Sequence, residues 1–136
     1  MDLVVDANSF FAALIKSGET ERLFFVDQLH FYAPEFLIDE IEKYRHTLLR
    51  KTHRSDIEFE RFMRTLQKKI HFVPMEEIKP LMPIARKISP DPNDTTYFAV
   101  ALKIGASIWS NDKPLRSQNK VRIYTTKELI DLFPAV

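Results

Sequence analysis

Four carboxylates stand where side chains can do chemistry. Asp6 closes the apolar run LVVD, Glu40 lies within EFLIDEIEKY, Asp94 follows SPDPN at the head of an apolar stretch, and Asp112 comes just after the strand-like SIW of SIWSNDKPL. All four are hard oxygen donors. Cysteine is absent, and the four histidines, His30, His46, His53 and His71, have no metal-ligand spacing, so thiolate chemistry and cysteine-type zinc sites are excluded. Two like charges about 4 Å apart repel by roughly 4 kcal/mol at an effective dielectric near 20. Several such pairs rival the whole stability of a domain, about 5 to 15 kcal/mol. If these acids converge they must hold protons or a cation, and an all-oxygen set selects Mg²⁺ or Mn²⁺ in octahedral coordination.

Each acid also has an ordinary structural reading. Glu40, taken alone, is an edge carboxylate available to a neighbouring Arg or Lys, since ion-pair networks imitate sites. Asp91 before Pro92 fits a helix N-cap with proline at the first helical position. Asp94 in the first turn is favoured by the positive end of the helix macrodipole. Asn111-Asp112 before Lys-Pro, taken alone, reads first as a turn. What sets the four apart is where the predicted elements put them.

Val4 and Val5 read as the end of a buried strand, and Asn8 to Ile15 as the start of a helix, so Asp6 sits at a strand-to-helix junction. Further along, residues 19 to 29 predict a short helix, HFYA a second strand, and Pro34 the first turn of a helix through EFLIDEIEKYRHTLLRK. On that helix, at 100° per residue, Phe36, Leu37, Ile41, Tyr44 and Leu48 share one face, with Glu40 beside it and Glu35, Asp39 and Glu42 away from it. A helix carrying Ile57, Phe59, Phe62, Met63, Leu66 and Ile70 follows, then a strand HFVP. Pro80 and Pro83 predict a broken helix over 75 to 88. A helix over about 92 to 104, a strand ASIWS, a strand VRIYT and a helix starting near Thr126 complete the chain. Short apolar strands separated by helices indicate an α/β fold with a mainly parallel sheet, in which ligands bind at the carboxyl ends of strands. If the strands ending at Asp6 and Asp112 are parallel neighbours, both carboxylates emerge on one edge.

The 136 residues are expected to form one domain, 1–136, able to bury a core without disulfides. Gly18 and Gly105 are the only glycines, which excludes Gly-rich phosphate loops; the chemistry must come from side chains. No apolar run approaches the roughly 18 residues of a membrane span, and the N-terminus does not resemble a signal peptide. The expectation is a soluble, cytoplasmic protein with no membrane association. Net charge is +1, but residues 45 to 71 hold eight basic against three acidic side chains, a local +5 that leaves −4 elsewhere. Taken alone, that segment reads as a solvated helix pair ahead of a specific binding patch.

Taken together, these stretches resemble the PIN domain, the metal-dependent ribonuclease fold of VapC-like toxins and RNA-processing factors. VVDANSF, APEFLIDEIEKY, DPNDTTYFAVALKIGA and IWSNDKPL are similar, in order and spacing, to the family's acidic motifs. The resemblance implies a three-layer α/β/α sandwich with a mainly parallel central sheet. It implies that Asp6, Glu40, Asp94 and Asp112 are catalytic and bind Mg²⁺ or Mn²⁺, with Asp91 a fifth ligand or only a cap, and that Asn8 and Ser110 support the site. The activity implied is hydrolysis of single-stranded RNA by water, leaving a 5′-phosphate and a 3′-hydroxyl, as the toxin of a type II toxin–antitoxin pair. An antitoxin partner and a homodimer belong to that expectation. Arg45, Arg50, Lys51, Arg54 and Lys113 are candidate phosphate contacts. Two alternatives stand beside it: a PIN-like module that binds RNA or protein through a vestigial pocket, and an RNA-processing nuclease without an antitoxin. A receiver-like signalling domain also gathers acids at strand ends, but HFYA and HFVP end in Ala-Pro and Pro-Met where it needs a phospho-accepting Asp.

Overall fold

The computed structural model describes residues 1–16 and 18–135. In chain order its elements are β1 (Asp2–Val5), α1 (Ala7–Ile15), α2 (Glu19–Leu23), β2 (His30–Pro34), α3 (Phe36–Lys51), α4 (Asp56–Lys68) and β3 (Ile70–Val73). Then come α5 (Met75–Ile78), α6 (Met82–Ile88), α7 (Thr95–Ile104), β4 (Ser107–Trp109), β5 (Ile123–Tyr124) and α8 (Thr126–Leu132). The five strands form one parallel sheet in the order β3-β2-β1-β4-β5.

Period-two alternation sends successive strand side chains into two cores. Leu3, Val5, Phe31, Ala33 and Trp109 pack under the layer that includes α1, α3, α4 and α8, whereas Val4, Ile108 and Ile123 pack under the layer that includes α5, α6 and α7. Both faces of β1 are therefore covered, which is why its sequence is continuously apolar. On the first face Phe24, Phe31 and Trp109 lie tilted against one another, ring centroids 4.8 to 5.9 Å apart. Each such ring, fully buried, contributes about 1.5 to 3 kcal/mol of transfer free energy.

The chain leaves β1 for β2 and then β3 on one side, and crosses back through α5 to α7 to enter β4 on the other. That reversal of strand order opens a crevice at the carboxyl ends of β1 and β4. Asp6 directly follows β1 and Ser110 directly follows β4, in the register Val5 opposite Trp109. The expected parallel adjacency of these two strands is what the sheet shows.

Local signals explain most boundaries. A capping box opens α4: the Ser55 hydroxyl accepts from Glu58 N at 3.2 Å and Glu58 Oε1 accepts from Ser55 N at 3.3 Å, a device whose cap alone is worth about 0.5 to 2 kcal/mol. Gly105 ends α7 at φ +68°, a left-handed position strained for any side chain. The two prolines break 75 to 88 as expected, with a 3-10 turn at Lys79–Leu81 between α5 and α6.

Three local expectations are corrected. Pro34 is the last residue of β2, opposite Val73 of β3, not the first turn of α3; a proline is tolerated there because the strand ends with it and the pairing of β2 with β1 has already run out at Tyr32 opposite Val4. The helix expected over 19 to 29 stops at Leu23, with turns Phe25 N to Arg22 O and Val26 N to Leu23 O after it. Ile70 belongs to β3 rather than to the helix before it.

Candidate active site

The β1-to-α1 junction fixes Asp6. Its side chain caps α1, accepting from Ser9 N at 2.8 Å, while its own N–H donates to Trp109 O at 3.3 Å. The Ser9 hydroxyl donates to the same carbonyl at 3.3 Å, so α1 is pinned to the end of β4 as well as to β1. Asp6 is buried. Burial pushes its carboxyl up; the Ser110 hydroxyl and the Ser9 N–H and hydroxyl pull it down, and the charge of Asp112 pushes it up again. Ser110 itself is buried and accepts from Asp112 N at 3.0 Å, which shapes the turn that brings Asp112 back beside Asp6.

Asp94 is set by the start of α7. The Asp91 side chain accepts from Asn93 N at 2.9 Å, capping a 3-10 turn at Pro92–Asp94. The Thr95 hydroxyl donates to Pro92 O at 2.9 Å. Asp94 is half-buried, and its carboxyl is pushed up to about 6, first by burial and then by the charges of Asp91, Asp6 and Asp112. Four acids from three separate stretches of chain thus feel one another. Asp91 is both a cap and a charge in this group.

Asp6, Glu40 and Asp94 line one cleft of about 720 Å³ walled by α1, α3 and the start of α7. Asp112 faces Asp6, Asn8, Ser9 and Asn111 in an adjoining hollow of about 380 Å³. Tyr97 lies beneath the cleft, buried, its hydroxyl without a hydrogen-bond partner among the described residues. Burial, then the charges of Asp6, Glu40 and Asp94, hold that phenol far above its usual range, so it is protonated at every working pH and keeps its O–H as a donor.

Among the described residues no three acidic or histidine side chains stand close enough to share one ion as placed. The donor set is nonetheless the right one for a hard divalent cation, all carboxylate oxygen, around an unpaired buried hydroxyl. Asp112 is exposed, Asp94 and Glu40 are partly exposed, and Asp6 is buried.

On α3, Phe36 and Tyr44 are 40% and 39% exposed and line the cleft, while Leu37, Ile41 and Leu48 are buried. The apolar face expected for this helix is therefore two adjacent sectors, one buried and one open. Glu40 lies in the open sector with Lys43, Thr47 and Lys51. Their i+3, i+7 and i+11 spacing from Glu40 is the signal by which Lys43 and Thr47 were legible but not singled out.

The candidate phosphate contacts separate. Arg45 is held by Glu42 at 2.6 Å and by Glu60. Arg54 is held by Glu21 at 3.1 Å and by the Leu14 carbonyl, and stacks 4.1 Å over the Phe62 ring. Internal partners thus occupy both guanidinium groups. Arg50, Lys51 and Lys113 are exposed and have no ion-pair partner among the described residues, and of the five only Lys51 lines the cleft. Asn8 lines both hollows.

A family profile described as PIN domain matches residues 4–130. No curated protein sequence matches the chain.

Proposed function

On the premise that the chain belongs to the PIN domain family, whose fold is generally that of a nuclease, we propose that it is an endoribonuclease dependent on Mg²⁺ or Mn²⁺ that hydrolyses single-stranded RNA. One observation carries the reading: Asp6, Glu40 and Asp94 open into a single cleft at the carboxyl edge of β1 and β4, with Asp112 in the adjoining hollow and Asp94 pushed up to about 6, first by burial and then by its acidic neighbours. Asp6, Glu40, Asp94 and Asp112 are the groups that would hold the cation, with Asp91 contributing charge. A divalent ion supplies, when bound, activation of water and offset of the charge that develops at a scissile phosphate. Asp6, held as the α1 cap, is the fixed member of the set. Ser110 holds the Asp112 turn, and the protonated Tyr97 hydroxyl would offer a hydrogen-bond donor to that set.

The test is cleavage of labelled single-stranded RNA with Mg²⁺ or Mn²⁺, comparing the wild type with Asp6→Asn and Asp94→Asn. Metal-dependent cleavage lost in both variants supports the reading. Equal cleavage by both variants, or none by the wild type across a broad RNA panel, overturns it. The second outcome favours the other reading, a PIN-like binding module with a vestigial pocket, for which the spread of the acids as placed is the supporting observation.

The setting proposed with it is the toxin of a type II toxin–antitoxin pair, a cytoplasmic homodimer held by an antitoxin; family membership is its support. Growth arrest on expression, reversed by the product of an adjacent small gene, separates that role from RNA processing.

A further inference from the structure

The cleft extends well beyond the acids. From Glu40 the open sector of α3 runs on to Lys51, eleven residues or about 16 Å of helix, facing Phe11 and Ile15 of α1 across the groove. Three features of that extension are not needed for metal binding. Tyr44, with its large aromatic ring, stays exposed on its rim. The Phe11 ring stands edge-on to Tyr44, centroids 5.8 Å apart, which braces the tyrosine without covering it. Lys43 sits with its ammonium 5.3 Å from the centre of the Tyr44 ring, and neither Lys43 nor Lys51 has a carboxylate partner among the described residues.

We infer that the groove between α1 and α3 is a strand-binding subsite for single-stranded RNA, in which Tyr44 stacks a base and Lys43 and Lys51 each hold a backbone phosphate leading away from the acids. This deepens the ribonuclease reading and rests on it for the direction of the strand. Charge decides the occupant. One end of the cleft is acidic and needs a cation to accept a phosphate, whereas the other carries two uncompensated cations spaced along one helix face. An aromatic platform flanked by cations is the arrangement that binds single-stranded nucleic acid without reading its sequence, because every base has a stacking face. The whole cleft, acids included, is about 720 Å³, the size of a site for a drug-sized ligand, hence about one or two nucleotides. Phosphate contacts position the strand and leave sequence choice to other groups.

The test is binding of a fluorescent single-stranded RNA hexamer, read by anisotropy over a range of salt, in protein carrying Asp94→Asn so that no hydrolysis occurs. Tyr44→Ala, Lys43→Ala and Lys51→Ala are added singly, with Tyr44→Phe as the conservative control and circular dichroism to confirm folding. Tyr44→Ala is expected to weaken binding about tenfold and Tyr44→Phe to restore it. Each lysine variant is expected to weaken binding severalfold and to reduce the slope of log Kd against log salt by about one. Unchanged affinity and slope in all three folded alanine variants overturns the proposal and leaves the groove to a peptide. The same variants on the Asp94 background are then assayed for cleavage. Loss of binding with no cleavage by the wild type keeps the subsite and removes the nuclease; cleavage by the wild type with unaltered groove variants removes the subsite and keeps the nuclease.

Discussion

The two ends of α1 use charge in opposite ways. At its N-terminus, Asp6, Asp94, Asp91 and Asp112 lie near one another, and the carboxyls of Asp6 and Asp94 are raised, first by burial and then by the charges of their acidic neighbours. Toward its C-terminus, Arg54 ties three elements together: the Leu14 carbonyl of α1, Glu21 of α2 and the Phe62 ring of α4. Nearby, Arg45 joins α3 to α4 through Glu60. One end holds like charges that protons or a bound cation relieve; at the other the two arginines are satisfied internally, while Lys43 and Lys51 on the groove are not, among the described residues. The difference teaches which charged groups are placed to bind and which to hold the helices in place.

Breaking the acidic end carries the largest expected effect. Asp94→Asn should lower metal-dependent RNA cleavage by about 100-fold or more, and in metal-free buffer the same variant should unfold no earlier than the wild type, because it removes repulsion. A variant that loses both activity and stability would make Asp94 a structural residue and erase the contrast.

The opposite signature is expected at the other end. Arg54→Ala removes an ion pair, a hydrogen bond to a buried carbonyl and a stacked guanidinium, so urea denaturation should show a loss of about 2 kcal/mol with cleavage per folded molecule unchanged.

The pH dependence sharpens the comparison further. Asp94 titrates near 6 in the folded chain against an ordinary value of 3.8, so its contribution to stability is fully present below about 4 and is lost as pH rises through about 6. The thermal midpoint in metal-free buffer should fall across that window by the equivalent of about 1 to 2 kcal/mol, reduced because the group is half-exposed. Asp94→Asn should flatten the curve, and added Mn²⁺ should raise the midpoint chiefly above pH 6. The smallest effect belongs to Arg45→Ala, about 0.5 to 1 kcal/mol and diminished at high salt, since this pair is partly exposed.

Much of this arrangement was legible before any coordinates. An apolar run closed by an acid marks a strand end, and because strands buried on both faces must be continuously apolar, LVVD and SIWSND announced both the parallel sheet and its functional edge. Asp91-Pro92 announced the cap that fixes Asp94. The basic segment was misleading in bulk: its +5 is a sum along the chain, whereas Arg45 and Arg54 meet Glu60 and Glu21 only through folding. Phe36 and Tyr44 shared an apolar face with Leu37 and Leu48 by helical angle alone. A few tens of degrees separate core from cleft on that helix, and only the placement of α1 against α3 draws the line.

Sequence by itself determined the element types, the acid at each strand or helix junction and the all-oxygen character of the donors, because propensity, capping and side-chain chemistry act over a few residues. Tertiary structure alone decided that β4 lies beside β1, that Glu40 joins Asp6 and Asp94 in one cleft, and that, among the described residues, the Tyr97 hydroxyl beneath them has no hydrogen-bond partner and Lys43 and Lys51 have no ion-pair partner while two arginines do. Those outcomes depend on which distant segments share space, and electrostatic coupling between them exists only once the crossover through α5 to α7 has brought them together.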